Sequence, residues 1–256
     1  LINSLNSVVG ANLNVGVSGG VSMSQVNAAV VNTVENPATG IDFAATVSAG
    51  QETAAWTHAV AVNSGVNSIP VRDALFRLFT RWWKSGLRQK LMRVNLLAGS
   101  DIHSAAVPQI PDYGAEKDAL AGFTSGGYSL ASGLQGADGK SIQTGLLGSS
   151  LNPASVTIAV WNLSSSTGSY NSHGAYAGDS SRITLNAPLS ASTVRSDMFG
   201  DGADSLSHSF TPAGAFGLIA ASRTATGHSN YVNGVKVGTS AAAVVGTLPA
   251  LELYIG

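Results

Sequence analysis

The chain has 256 residues and a net charge of −1, and only 11% of its residues are charged, under half of the ~25% usual in globular proteins. With 44% hydrophobic residues and a positive mean hydropathy, this composition argues against disorder, which needs charge repulsion or a shortage of apolar groups. The absence of cysteine excludes disulfide scaffolds, thiol nucleophiles and Cys-ligated zinc.

Residues 1–66 read as a β-rich arm. Asn12 to Ser18 alternates polar and apolar side chains, the period of a half-buried strand. Asn27 to Val34 is short and largely apolar, helix or strand. Gly10, Gly16, Gly40 and Gly50 punctuate the segment as turns. One Trp and one Phe in 66 residues are too little to bury a core. The arm therefore either pairs with other chains or docks on its own domain. The opening Leu1-Ile2-Asn3 lacks Met and points to a fragment or processed product, with an anchor possible ahead of it.

Residues 67–94 read as a basic helical connector. Val71, Leu75, Leu78, Phe79 and Trp82 recur at three- and four-residue spacing after Pro70, which suits a first helical turn. Gly86 fits a C-terminal cap. Seven of the 13 basic residues fall between Arg72 and Arg93. Arg72, Arg77, Arg81 and Lys84, with Trp83 at the edge of the apolar stripe, form a candidate docking face for an acidic partner surface. Nucleic-acid binding is disfavoured, because stacking platforms need exposed rings and Trp82 continues the apolar stripe.

Residues 95–256 read as an all-β domain of antiparallel strands. Val156 to Trp161 is rich in strand formers, with Trp161 assigned to the core. Asn233-Gly234 between apolar residues is a strong hairpin signal, because both central positions take positive φ. Ala215 to Ala221 and Leu251 to Ile255 add strands, and no strand–helix alternation favours a parallel sheet.

Retaining glycosidases place two carboxylates ~5 Å apart, and among four glutamates only Glu116 has a carboxylate two residues away, Asp118. Gly178-Asp179-Ser180 imitates an esterase nucleophile turn but lacks the Asp-x-x-His that should follow. Asp197, Asp201 and Asp204 supply oxygen ligands of the kind calcium takes, off the usual loop spacing. The five histidines are scattered, without metal-ligand spacing. Tyr170 and Tyr176, in a Gly/Ser-rich connection, are candidates for stacking on sugars.

The order of elements resembles phage particle proteins that end in a concanavalin-A-like jelly roll. The resemblance is carried by Ser222-Arg223-Thr224 leading to Tyr231 to Val235, by the ending Leu248 to Gly256, and by the turns at Gly133 to Gly136 and Asp138-Gly139-Lys140. It implies a non-enzymatic virion surface protein, a capsid decoration or head fibre, with other virion proteins such as the major capsid protein and further copies of itself, a trimer, as partners. The alternative is a tail-fibre adhesin that binds host-surface glycan. A polysaccharide-degrading enzyme lacks its paired acids. No cofactor is expected apart from the calcium candidate. No apolar run approaches the ~18 residues of a membrane span, so membrane insertion is not expected either.

Overall fold

The structure, a computed structural model, describes residues 43–137, 139–162, 172–177, 181–190, 193–199, 206–209, 217–241 and 248–255. The strands expected at Asn12 to Ser18 and Asn27 to Val34 lie outside these residues. The described residues divide into two compact units, 43–58 with 68–91, and 59–67 with those from 92 onward.

The end of the expected β-rich arm is helical, which corrects the reading of residues 43–62. Helix α1 spans Phe43–Val62. Ala45, Ala49, Trp56 and Val60 are buried along it, at spacings of four, seven and four, one face of a helix of 3.6 residues per turn. Alanine is the best helix former, but a stripe half made of it carries little hydrophobic signal. Thr53 and Thr57 hydroxyls donate back to the carbonyls four residues earlier, Ala49 and Thr53, so their polar groups stay satisfied within the helix.

Helix α2 spans Ile69–Lys84, with Pro70 in the first turn and Val71, Leu75 and Phe79 buried, as the periodicity predicts. Gly86 closes it at φ +69, its N–H donating to the Trp83 carbonyl. A short 3-10 turn, Arg88–Lys90, follows.

The larger unit is built from antiparallel strands. One sheet runs in the order β1 (Ala119–Ala121), β4 (Ser141–Leu147), β13 (Glu252–Ile255), β6 (Ser172–Tyr176), β7 (Arg182–Ser190), β8 (Thr193–Met198) and β9 (Leu206–Ser209). The other runs β12 (Val235–Ser240), β11 (Gly227–Val232), β10 (Gly217–Thr224) and β5 (Ser155–Asn162). A two-stranded ribbon, β2 (Tyr128–Ser129) with β3 (Gly133–Leu134), stands apart from both. Of the expected strands, 156–161 lies within β5, 215–221 is strand from Gly217 on with 215 and 216 outside the described residues, and 251–255 is strand from Glu252 on.

Alternation along the strands decides what each sheet buries. Ile183 and Leu185 of β7, Val194 and Met198 of β8, and Ile219 and Ala221 of β10 form a shared core, with Val156, Ile158 and Val160 of β5 packed against it. Each large aliphatic side chain shut off there contributes on the order of 1.5–3 kcal/mol. Two sheets facing each other across such a core are the arrangement of a β-sandwich. A polar tie crosses it: the Ser196 hydroxyl on β8 donates to Asn230 Oδ1 on β11 at 2.6 Å, and Asn230 Nδ2 donates to the Leu206 carbonyl at 3.1 Å.

Candidate functional site

The outer face of the four-stranded sheet carries the most distinctive surface chemistry among the described residues. In β5 the even positions Val156, Ile158 and Val160 turn inward, so Ser155, Thr157, Ala159 and Trp161 turn outward. Trp161 is consequently 64% exposed, against the expectation that it belongs to the core. Its cross-strand neighbour Leu218 is 40% exposed. The next rung joins Ala159, Ala220, Tyr231 and Lys236 across all four strands. The third is a row of hydroxyls: Thr157 donates to Ser222 at 2.9 Å and Ser229 to Thr239 at 3.1 Å.

The hairpin at Asn233-Gly234 anchors one end of this face. Asn233 has φ +50 and Gly234 φ +81, the two positive values a tight hairpin takes. The Asn233 N–H donates to the Leu218 carbonyl at 2.7 Å, and Asn233 Oδ1 accepts from the Leu218 N–H at 2.9 Å. Gly217 is required beside it, since a Cβ there would lie 2.1 Å from Asn233 Oδ1. The hairpin tip thus fixes the start of β10, and with it Leu218. A shallow depression of about 280 Å³ opens between Thr157, Leu218, Ala220, Ser222, Tyr231 and Gly234. Small side chains form its floor, and aromatic and hydroxyl groups its rim. Lys236 is the one formal charge on the three rungs. A flat, amphipathic surface of this kind suits the apolar face and hydroxyl edge of a sugar ring, and has no acid–base pair to break a bond in it.

The residues singled out from sequence fall elsewhere. Tyr176 is exposed on the outer face of the larger sheet, with the Arg182 guanidinium 6.0 Å from its ring centroid. One face of that ring already has a cation, so it is a poorer stacking platform than expected. Tyr170 lies outside the described residues. Of the calcium candidates, Asp197 is described. Because Ile183 and Met198 point inward, their neighbours Arg182 and Asp197 share the outer face. There Asp197 is buried and pairs with Arg182 at 2.8 Å and Arg195 at 3.7 Å, so its charge is already balanced by arginine. Asp201 and Asp204 lie outside the described residues. The structure therefore brings two separate candidates, Tyr176 and Asp197, together around a third residue, Arg182.

In the helical unit, Arg77, Arg81 and Lys84 are exposed and Arg72 is half-buried. Trp83 is half-buried and engaged within its own unit: its indole N–H donates to Glu52 Oε2 at 3.2 Å, and Arg88, itself ion-paired to Glu52, stands 5.9 Å from its ring centroid. Glu116 is exposed, whereas Asp118 is buried, ion-paired with Arg93 and accepting from Asn95 Nδ2 at 2.6 Å. That pair of carboxylates does not converge on a common space. Gly178-Asp179-Ser180 lies outside the described residues. None of the described helices is long and apolar enough to cross a membrane.

Comparison of the chain with protein-family models, with curated proteins and with solved structures gives no match.

Proposed function

We propose that this chain is a non-enzymatic structural protein of the phage surface whose C-terminal domain, a concanavalin-A-like jelly roll, presents a face for binding uncharged glycan. The observation that carries the binding role is the outward Trp161 beside Leu218, next to a depression floored by Ala220 and Ser222. An indole left in water on a flat sheet is a large apolar surface with a cost, and a sugar ring stacked on it removes that cost. Glycan recognition favours the tail-fibre adhesin form of the reading. The capsid-decoration form is supported by a different feature, the exposed row Arg77, Arg81 and Lys84, which would dock on an acidic shell protein.

A glycan array probed with the full chain tests the binding role. Retention of neutral glycans is expected, and Trp161→Ala, at an exposed position that leaves the core intact, is expected to weaken it about tenfold, the loss of one aromatic stack. An array without signal, or a Trp161→Ala variant that binds unchanged, refutes it.

A further inference from the structure

We infer that β5 pairs through its free edge with β5 of a second copy of this chain, joining the two four-stranded sheets into one. The inference does not depend on what the outer face binds.

A terminal strand exposes unpaired backbone N–H and C=O groups that accept another chain unless the edge is blunted. Three of the four terminal strands of the two large sheets are blunted. β1 has three residues and β9 four. β12 carries Lys236 and is broken in register opposite Asn230 and Tyr231. β5 has none of these devices. It runs eight residues, SVTIAVWN, without a charge, a proline or a glycine. It pairs with β10 at all eight positions without a register shift. Among the described residues, no backbone group bonds its other side beyond the local turn from Ser155 to Asn152.

Burial gives an independent sign. Val156, Ile158 and Val160 point into the core, yet remain half-buried, while their partners on β10, Arg223, Ala221 and Ile219, are fully closed off. Among the described residues the sandwich is open along β5, and a neighbouring strand would complete its cover.

The same strand from a second copy fits this edge. An uncharged strand meets no like charge in its own image, and a two-fold interface is self-complementary by construction. Antiparallel pairing places the two-fold axis perpendicular to the sheet. Since successive side chains point to opposite faces, the residue at the axis must lie opposite itself, not opposite its neighbour. With Ile158 at that point, Val156 faces Val160, Thr157 faces Ala159 and Ser155 faces Trp161. Branched aliphatic side chains then meet on the inner face, and small and hydroxyl side chains on the outer. The two outer faces become one surface, with both tryptophans on the same side.

Light scattering on the full chain tests the pairing. The wild type is expected to have a mass that is an even multiple of 25.8 kDa. Thr157→Lys/Ala159→Lys sets lysines directly opposite lysines at two exposed positions and is expected to halve that mass, with little change in thermal midpoint. Because the chain has no cysteine, Thr157→Cys/Ala159→Cys reports the register: oxidation is expected to give a covalent dimer, and cysteines at Lys236 and Thr239 on the opposite edge are expected to give none. A monomeric wild type, an odd multiple, a mass unmoved by the lysines, or a missing cross-link overturns the inference.

Discussion

His173 sits on β6 facing Leu185 on one neighbouring strand and Ile255 on the other, and burial pushes its pKa from 6.5 down to about 4. Neither ring nitrogen has a hydrogen-bond partner among the described residues, so nothing there supports a charge. The unfolded chain takes up the proton first, since its imidazole titrates near 6.5. The stability that goes with a neutral His173 is therefore complete above pH 6.5 and lost as pH falls toward 4. Two and a half pH units at about 1.4 kcal/mol each, less rounding near the endpoints, come to about 3 kcal/mol. Against a typical net stability of about 5–15 kcal/mol, that is a large share. Urea unfolding followed by tryptophan fluorescence at pH 7 and pH 4 measures it: with an m-value of about 2 kcal/mol/M, the midpoint is expected to drop by about 1.5 M. His173→Leu removes the titrating group and is expected to lose most of that slope. A wild-type midpoint that is flat between pH 6.5 and 4, or a His173→Leu protein that falls as steeply as the wild type, refutes the reasoning.

Three further outcomes follow from contacts described above. Arg182→Ala takes the 2.8 Å partner away from the buried Asp197, and is expected to cost about 3–5 kcal/mol in chemical denaturation, while Arg182→Leu/Asp197→Leu recovers most of it. Asn233→Ala removes an acceptor for the Leu218 N–H and places a Cβ residue without Asn's tolerance at positive φ, so a loss of about 1–3 kcal/mol is expected from thermal melts, with Asn233→Gly milder. Asp101 accepts hydrogen bonds from the Ser104 N–H and hydroxyl and the Val66 N–H; burial alone would raise its pKa, but these bonds outweigh it and lower it. Its contribution is present above pH 3.8 and lost below, so Asp101→Asn is expected to change stability at pH 7 while leaving the drop between pH 6.5 and 4 in place.

How much of this was legible in the sequence depends on how local each signal is. The Asn233-Gly234 turn and the α2 stripe are fixed by neighbouring residues, and both are where the sequence places them. Helix α1 was not legible as a helix, because half of the residues that define its buried face are alanines, and Gly50 with several β-branched residues blurs the period. Trp161 shows a signal present but misread. Taken as a run, Val156 to Trp161 ends in a large apolar residue and suggests core. Taken by parity, Val156, Ile158 and Val160 claim the inward positions and leave Trp161 outside. The pairing of Leu218 with Trp161, and of Ser222 with both Thr157 and Ser229, is set by register between strands up to 65 residues apart in the chain. No pattern within one strand encodes it.

The three rungs of the small sheet's outer face hold a single formal charge, that of Lys236. Ions in solution weaken attraction between opposite charges and barely touch stacking or hydroxyl contacts. Whatever settles on this face should therefore stay as firmly in brine as in dilute buffer, and salt would be the wrong eluent with which to remove it.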